Sequence, residues 1–496
     1  MTTLEGIAYG FGVALQPSVL AYCMLGVTLG TFIGVLPGIG AMAAISLLLP
    51  ITFYISPEAA LIMLAGVYYG AQYGGAVASI LLRLPGTPQS AVTTLDGYPM
   101  AQQGRAGVAL FVSMVSSFVG SVIGIIVLVV LAGWLSRAAT AFGAADYAAM
   151  MILGLVAAST IGSDRPAKAF AMVTLGLILG CVGTDVNSGA QRFTFGQTEL
   201  LDGINLVALA MGLFGVAEVI GNIRNAERDT VPERVTFLQM MPTREDLRRM
   251  VGSTLRGTGL GSFFGALPGT GSTLSSFLSY AVERRVARHP ERFGKGAVEG
   301  VAGPEAANNA AAITAFVPTL TLGIPGDPIM ALMLGALVIH GIQPGPEMLG
   351  AHPEMFWGLV VSFGIGNLLL LILNLPLIGI WVAMLRIPFR YLYPAILIFV
   401  CLGVYSVRGL TFDIVSVALI GFLGYLLALA RYSPALLLLG FVLGPMIETN
   451  LRRALLIARG DPMVFLERPI ACGFTIATVL LIALSLWQSW RRKQLR

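Results

Sequence analysis

Long stretches without a charged side chain dominate this sequence. Three of these stretches lie between Arg105 and Arg137, between Glu354 and Arg386, and between Arg468 and Arg491. Each is longer than the about 20 apolar residues that a helix needs to cross the hydrocarbon core of a bilayer. Because every backbone N–H and C=O group in lipid needs a partner within the protein, such segments form helices or a closed barrel.

The composition points to the helical alternative. Hydrophobic residues make up 56% of the 496 residues and charged residues 11%, whereas a soluble globular domain carries roughly 25% charged residues. A membrane barrel would show segments of about ten residues with alternating polarity, and the sequence shows none. Adding the apolar run 6–57 and several shorter ones, we expect an all-α integral membrane protein with about 10–12 transmembrane helices.

Basic residues are clustered between the apolar runs, at 224–256, at 284–295 and at 491–496. Because the cytoplasmic loops of membrane proteins are rich in Lys and Arg, all three clusters are predicted to be cytoplasmic, including the C-terminus. The net charge of +5 thus reflects topology and does not indicate a nucleic-acid partner. A single apolar stretch, 257–282, separates the first two clusters, so we expect it to enter and leave the membrane on the same side.

Two Pro-Gly motifs occur twice and in the same order. The heptad Gly-Val-Leu-Pro-Gly-Ile-Gly at 34–40 recurs as Gly-Ala-Leu-Pro-Gly-Thr-Gly at 265–271. The shorter Leu-Pro-Gly-Thr-Pro at 84–88 recurs as Ile-Pro-Gly-Asp-Pro at 324–328. This order predicts an internal duplication. About five candidate spans separate the two heptads, and an odd number places the halves in opposite orientation, as in the inverted repeats of secondary transporters.

The duplication suggests a division of the chain into three parts. The first transmembrane half is predicted at 1–223 and a cytoplasmic connecting loop at 224–253. The second half, with additional C-terminal helices, is predicted at 254–496. Both halves are expected to contain helices that are broken or re-entrant at their Pro-Gly motifs.

The Pro-Gly motifs are also the predicted substrate site. Proline removes a backbone donor and glycine relaxes the backbone, so the motifs should interrupt helices, which is tolerated at membrane depth only inside protein or along a cavity. A helix that restarts after Gly40 or Gly271 offers free N–H groups to a carboxylate. The alternative is that the motifs only kink helices for packing. The predicted substrate-binding residues are Gly38, Gly40, Tyr73, Gly74, Gly75, Pro85, Gly86, Thr87, Gly269, Thr270, Gly271, Ser272, Pro325 and Gly326.

Four polar residues near these motifs are candidates for binding a coupling cation. Asn308 and Asn309 precede an apolar segment, where amides without partners are costly, and Asp327 lies in the second short motif. Asp96 is either a cation ligand or a turn-forming residue at the surface. The 3 histidines show no metal-ligand spacing and no nucleotide-binding loop is present, so we predict neither an enzyme nor a bound cofactor.

As a set, the motifs resemble those of the large membrane subunit of the tripartite tricarboxylate transporters. The similarity runs from about Leu25 to the C-terminal region. It is carried by the two heptads at 34–40 and 265–271, Tyr-Gly-Gly at 73–75, Pro-Gly-Thr-Pro at 85–88, Leu-Asp-Gly-Tyr-Pro at 95–99, Pro-Glu-Ala-Ala-Asn-Asn at 304–309, Leu-Gly-Ile-Pro-Gly-Asp-Pro at 322–328 and His-Gly-Ile-Gln-Pro-Gly-Pro at 340–346. One departure is Asp327, where Ser or a similar residue is expected.

The resemblance implies a permease of the bacterial cytoplasmic (inner) membrane that imports tricarboxylates or related small carboxylates on a sodium or proton gradient. It implies two protein partners, a small membrane subunit and an extracytoplasmic solute-binding protein, beside the carboxylate and the lipid bilayer. The coupling ion would be Na⁺ or H⁺, with no other cofactor. The alternative function is an ion or solute channel, or another secondary permease that works without a binding protein.

Overall fold

The computed structural model describes residues 2–36, 40–139, 142–161, 166–185, 188–222, 237–267, 271–345, 348–384 and 389–494. Within these ranges, almost all regular structure is helical. The only strands there are two short antiparallel pieces, β1 (Gly183–Thr184) and β2 (Gln191–Arg192). The predicted all-α fold class is therefore confirmed.

The helices up to residue 222 contain the first copies of both motifs. They are α1 (Thr3–Ala14), α2 (Pro17–Val35), α3 (Gly40–Thr52), α4 (Pro57–Leu82), α5 (Thr94–Met100), α6 (Ala106–Ala139), α7 (Ala144–Ile161), α8 (Pro166–Gly180), α9 (Leu206–Ala210) and α10 (Ala217–Asn222). A 3₁₀ turn, Pro88–Ala91, precedes α5. Wider π-type turns join α5 to α6 and α9 to α10.

The helices from residue 244 onward contain the second copies. They are α11 (Arg244–Gly265), α12 (Gly271–Val286), α13 (Glu299–Thr314), α14 (Phe316–Leu322), α15 (Pro328–Ile339), α16 (Met348–Ala351), α17 (Pro353–Asn374), α18 (Ile378–Met384), α19 (Phe389–Arg408), α20 (Thr411–Leu429), α21 (Pro434–Ile457), α22 (Val464–Glu467) and α23 (Pro469–Gln494).

The start of α11 corrects the predicted connecting loop. Thr243 and Asp246 form a reciprocal capping box, in which each side chain accepts a hydrogen bond from the backbone N–H of the other. The helix therefore begins at Arg244, and the loop predicted at 224–253 ends before it. The part of that prediction at 224–236 lies outside the described residues.

Each half contains a pair of helices in very close contact, α2 with α4 and α11 with α13. Glycines four residues apart on α2 and α11 make this approach possible. A Cβ atom added at Gly30 would lie 2.4 Å from the carbonyl oxygen of Val67, and one added at Gly261 would lie 2.2 Å from that of Ala307. The same contact recurs one turn away on either side, at Gly26, Gly34, Gly257 and Gly265.

These contacts support the predicted duplication, because the contacting glycines have matching positions relative to the two heptads. Gly34 and Gly265 are the first residues of the heptads, and both lie against α4 or α13 at equivalent turns. The left-handed residues that end the following helices also match, with Arg83 at φ 58° and Gly323 at φ 69°. The inverted orientation of the halves stays a prediction.

Two long helices connect the halves by packing on the opposite pair. Helix α6 of the first half lies along α11 and α13, with Gly120 against the backbone of Ala306. Helix α17 of the second half lies along α1, α2 and α4. As a result, α4 and α13 occupy the centre of the molecule, and almost every residue of both is buried.

The C-terminal helices α20 to α23 pack against α7 to α10 rather than on this centre. Ion pairs hold the periphery together. Arg192, in β2, lies 2.8 Å from Glu448 of α21, and Arg468 lies 2.9 Å from Asp146 of α7. These pairs connect the segment between the two motif sets to the end of the chain.

Five described helices are long and apolar enough to cross a membrane. Seven shorter helices of 10–17 residues are also apolar. This set fits a multi-pass membrane protein, as predicted from the charge-free runs. The predicted number of about 10–12 spans stays a prediction.

Helices α11 and α12 pack against each other on both sides of the second heptad. They are tied by Arg256, near the middle of α11, whose guanidinium donates to both carboxylate oxygens of Glu283 at 2.8 and 2.6 Å. A helical hairpin closed in this way brings Arg256 of the first basic cluster close to Arg284 of the second. The arrangement supports the prediction that 257–282 enters and leaves on one side.

The close glycine packing can be tested with the substitution Gly261→Ala. The added Cβ would lie 2.2 Å from the carbonyl oxygen of Ala307, and overpacking typically costs about 1–3 kcal/mol. We expect a lower apparent Tm for the purified protein in detergent. The matched control is Gly259→Ala on the same helix, where no atom lies within 4 Å of the added Cβ. Equal Tm values for both variants would contradict the packing argument.

Candidate substrate and cation site

Both heptads interrupt a helix at the same place. Helix α2 ends at Val35 and α3 begins at Gly40, while α11 ends at Gly265 and α12 begins at Gly271. Gly40 has φ of 49° and Gly271 has φ of 64°, a conformation that residues with a Cβ atom rarely adopt. The structure therefore confirms a new helix N-terminus at the end of each heptad.

Three of the predicted substrate-binding residues, Gly38, Gly269 and Thr270, lie outside the described residues. Their neighbours Gly40, Gly271 and Ser272 are described, and Ser272 is buried. The heptads therefore contribute to the site through the first residues of α3 and α12.

The two short Pro-Gly motifs also share one local structure. In each, an extended residue precedes a proline that starts a helical turn: Thr87 before Pro88, and Asp327 before Pro328. Asp327 caps α15 by accepting a hydrogen bond from the N–H of Met330 at 2.9 Å. Thr87 and Asp327 therefore hold equivalent N-terminal positions, as expected for Ser, Thr and Asp.

The first short motif lies directly against the first heptad. A Cβ atom added at Gly86 would lie 2.0 Å from the carbonyl oxygen of Gly34 and 2.7 Å from the Cα of Gly75. One added at Gly75 would lie 2.9 Å from the hydroxyl of Thr87. These predicted residues thus meet at one point. In the second half, Gly326 lies in the same way against Ala315, and Pro325 beside it is buried.

A chain of buried amides links the halves at Gln72 of α4. The Oε1 atom of Gln72 accepts hydrogen bonds from Gln89 Nε2 at 2.6 Å and from Asn308 Nδ2 at 3.1 Å. Gln89 follows the first short motif, whereas Asn308 lies in α13. One side chain therefore joins a broken segment of the first half to the central helix of the second.

Tyr68 extends this chain to the second half. It lies one helical turn before Gln72, and its hydroxyl donates to Asp327 Oδ2 at 2.6 Å. The side chains of Ser272 and Gln72 are next to the same hydroxyl. A Cβ atom added at Gly271 would lie 3.3 Å from the Cβ of Asp327, so the second heptad and the second short motif meet here. We call Tyr68, Gln72, Gln89, Ser272, Asn308 and Asp327 the central polar cluster.

Several polar atoms in and beside the central polar cluster have no protein partner among the described residues. They include Gln72 Nε2, a donor, and Asn308 Oδ1, an acceptor, both fully buried. Leaving such an atom unpaired costs about 1–3 kcal/mol. A donor and an acceptor on two side chains that already touch are suited to an anion and a cation, respectively.

Not all predicted residues reach this cluster. Tyr73 lies on another face of α4, and its hydroxyl is 3.5 Å from Asn367 of α17. Asn309 donates to Ser117 Oγ of α6 at 2.8 Å and to the carbonyl of Glu305 at 3.1 Å. Gly74 packs against the backbone of α2, and Pro85 is exposed. These residues shape the surroundings of the cluster rather than its polar lining.

Asp96 is fully buried, so the interpretation as a surface turn residue is wrong. Its Oδ1 atom accepts hydrogen bonds from the backbone N–H groups of Gly294, Gly296 and Ala297 at 2.8–2.9 Å. Its Oδ2 atom accepts one from the hydroxyl of Tyr280 at 2.9 Å. Asp96 therefore clamps the segment before α13 to the first half, and both of its oxygens are occupied.

Sequence reasoning did not select Tyr68, Gln72 or Gln89 as site residues. A signal was present, because residues four apart share one face of a helix, so Tyr68 and Gln72 present two polar groups on the same face of an otherwise apolar segment. Gln89 directly follows Thr87-Pro88. Gln72 and Asn308 are 236 residues apart in the sequence, so their contact produces no local sequence pattern.

Fold and site together define a multi-pass membrane transport protein with two broken-helix units. The particular family follows from comparison with known proteins. The chain matches the tripartite tricarboxylate transporter TctA family over residues 20–439 and belongs to it. The resemblance identified from the motifs is confirmed, and the family consists of large subunits of three-component transporters rather than enzymes.

Two relatives from Agrobacterium vitis are similar over most of their own length. One is an uncharacterized 52.8 kDa protein in the TAR-I ttuC' 3' region, 49% identical over 495 residues, which is 100% of this chain and 98% of the relative. The other is an uncharacterized protein in the TAR-II ttuC' 3' region, 53% identical over 234 residues, covering 47% of this chain and 97% of the relative. No solved structure matches the chain.

The Asp96 clamp can be tested with Asp96→Ala. Loss of the carboxylate leaves the N–H groups of Gly294, Gly296 and Ala297 without their acceptor, so we expect faster hydrogen exchange in peptides covering 290–300. The matched control is Tyr280→Phe, which removes one donor to Asp96 and leaves the three N–H contacts in place. Unchanged exchange in the Asp96 variant would contradict the clamp.

The double role of Asp327 can be separated with two substitutions. Asp327→Ser keeps a side chain that caps α15, and Asp327→Ala removes the cap, which typically costs about 1 kcal/mol. Both lose the acceptor for Tyr68. We expect the Ala variant to have the lower apparent Tm in detergent. A Ser variant as unstable as the Ala variant would show that the contact with Tyr68, not the cap, stabilises this region.

Proposed function

We propose that this chain is the permease subunit of a binding-protein-dependent secondary transporter that imports tricarboxylates or related small carboxylates. The observation that carries the proposal is the central polar cluster, where both broken-helix units meet through Gln72 and Asn308. Family membership supports the three-component assembly. The substrate class is inferred from the chemistry of the cluster and from the family.

The cluster is suited to a carboxylate because its available donors are neutral. The side chains of Gln72 and Ser272 both lie beside the hydroxyl of Tyr68, and Gln72 has a free Nε2 group. Ser272 is the second residue of α12, so the N-terminus of that helix is adjacent. Helix N-termini stabilise anions through free N–H groups and the helix dipole. Neutral donors hold an anion without the strong attraction of a buried arginine, which would slow its release.

The coupling cation is the second part of the proposal. Asn308 and Asn309, consecutive on α13, each offer a buried carbonyl oxygen without a partner, and amide oxygens are suitable ligands for sodium. The carboxylates of Asp327 and Asp96 already accept hydrogen bonds from protein donors. Import driven by a sodium or proton gradient then requires that binding of the cation and binding of the carboxylate are energetically coupled.

The small membrane subunit and the extracytoplasmic solute-binding protein are the proposed partners. The positive-inside rule assigns 223–256 to the cytoplasm of a bacterial inner membrane, and one helical segment, 206–222, precedes it. The segment 183–205, before that helix, is then extracytoplasmic and accessible to a binding protein. A channel is the second candidate function, and it would not require a binding protein.

The proposal is tested by reconstituting the chain with its small subunit and binding protein and measuring carboxylate uptake with and without a sodium or proton gradient. Asn308→Ala should lower the initial rate at least about tenfold, because one hydrogen-bond partner of Gln72 and one free acceptor are lost. The matched control is Asn374→Ala, a buried asparagine of α17 that bonds only to its own helix.

The outcomes separate the alternatives. Saturable uptake that requires both a gradient and the binding protein supports the proposed transporter. Uptake without the binding protein would favour the channel or another permease. Wild-type rates in Asn308→Ala, with the protein still inserted and folded, would exclude the central polar cluster as the site.

A further inference from the structure

Most buried carboxylates of the described chain have an arginine partner. Five of them pair with a guanidinium group at 2.6–2.9 Å: Asp146 with Arg468, Asp185 with Arg452, Asp246 with Arg105, Glu283 with Arg256 and Asp413 with Arg408. A buried charge without compensation costs several kcal/mol, so this pairing is expected. It provides a reference for the carboxylates that lack it.

Three buried carboxylates have no arginine partner among the described residues. Asp96 accepts three backbone N–H groups, and Asp327 accepts an N–H group at the start of α15 and the hydroxyl of Tyr68. Glu305 of α13 accepts a hydrogen bond neither from an arginine nor from a backbone N–H group in the described part of the chain. Its partners are hydroxyl groups alone, although it is only 1% exposed.

The surroundings of Glu305 consist of neutral oxygen atoms from three segments. Thr93 contacts Oε1 through its hydroxyl, and Ser117 of α6 contacts Oε2 at 3.3 Å. The hydroxyl of Ser113, one turn before Ser117, faces the same carboxyl group. Asn309, one turn after Glu305, bonds to Ser117 at 2.8 Å, and its own carbonyl oxygen is buried without a partner.

The charged groups on adjoining elements are neutralised elsewhere. Helix α12 brings Glu283 to within 2.9 Å of a Cβ built on Gly303, and there Arg256 compensates it. Asp96 reaches α13 at Gly300, where the backbone N–H groups hold it. From α4, the nearest titratable group is the phenol of Tyr73. Glu305 is therefore a carboxyl group without a positive partner in the described part of the chain.

A carboxylate, hydroxyl oxygens and a free amide oxygen form the ligand set that hard cations prefer. The single negative charge matches a monovalent ion, and no group of three or more His, Cys, Asp or Glu in the described residues indicates a multivalent metal site. A proton would neutralise Glu305 but would leave the free oxygen of Asn309 unexplained.

We propose that Glu305, Thr93, Ser117 and Asn309 bind a sodium ion, and that this ion is the coupling cation of the transporter. Ser113 completes the oxygen shell. The inference rests on the proposed function for the coupling role, whereas ion binding itself does not depend on it.

The position of this cation site provides a direct connection to the substrate. Asn308 and Asn309 are consecutive on α13, and Asn308 donates to Gln72 of the central polar cluster. Thr93 lies in the segment that follows Gln89, the other donor to Gln72. A sodium ion held between Thr93 and α13 fixes both donors of Gln72, and so leaves its Nε2 group oriented for an anion.

The test measures sodium binding to the purified full-length chain in detergent, without transport. Ligands that bind the folded state raise its stability, so the apparent Tm should rise with sodium chloride and saturate, and not rise with choline chloride at equal ionic strength. Glu305→Gln should abolish the sodium-specific rise. The matched control is Glu283→Gln, which loses its contact with Arg256 and should have a lower Tm but the same sodium-specific rise.

A second variant keeps the proposal testable if Glu305→Gln does not fold. Ser117→Ala retains the carboxylate and removes one oxygen, so the sodium concentration at half-saturation should increase at least about tenfold. A wild-type Tm without a sodium-specific rise, or a rise that persists in Glu305→Gln, would overturn the sodium site. Infrared spectra provide a further test. A protonated-carboxyl band that is present in the wild type and lost in Glu305→Gln would show that Glu305 binds a proton rather than a sodium ion.

Failure of the sodium site can be distinguished from failure of the proposed transport function. If sodium binds and reconstituted uptake does not depend on a gradient, the site stands and the coupling role fails. If uptake depends on a sodium gradient and Glu305→Gln retains that dependence, the proposed transporter stands and the assignment of Glu305 fails.

Discussion

The close approach of α2 to α4 and of α11 to α13 is the constraint on which the rest of the molecule depends. Glycines four residues apart allow backbone carbonyl groups of one helix to contact Cα atoms of the other. In lipid, burying an apolar side chain between helices gives little free energy, because the lipid tails are equally apolar. Close packing at small residues such as these glycines therefore stabilises helix pairs. The last glycine of each series begins a heptad, so the same packing that joins the helices also fixes where each helix breaks.

The fixed breaks explain why the polar residues of the site lie on α4 and α13. Each of these helices is held by a broken helix on one side and by a long helix of the opposite half on the other. Their buried faces can therefore carry Tyr68, Gln72, Glu305 and Asn308 without exposure to lipid. A polar side chain at this depth is costly, and its cost is offset where partners from both halves are positioned by rigid packing.

Sequence reasoning identified the fold class, the two pairs of motifs and the helix starts at Gly40 and Gly271, because these depend on local properties of glycine and proline. It placed Asp327 and Asn308 near the breaks for the same reason. For Asp96 it left open a cation ligand and a surface turn, and the second alternative is wrong because the partners of Asp96 at 294–297 are about 200 residues away in the chain. Gln72 and Tyr68 were not selected because Asn308 and Asp327, with which they bond, come from the opposite half.

Two kinds of buried polar group differ in their partners, namely carboxylates paired with arginine and groups bonded only to neutral donors. Arginine-paired carboxylates such as Glu283 and Asp413 close a hairpin or join a helix to its neighbour, and breaking them would leave a buried charge. The central groups are amides and hydroxyls, with Glu305 and Asp327 as the acids. Neutral donors can exchange a protein partner for a ligand at small cost, whereas an arginine pair cannot. The polar groups of α4 and α13 are therefore the ones that can bind a ligand without breaking a permanent ion pair.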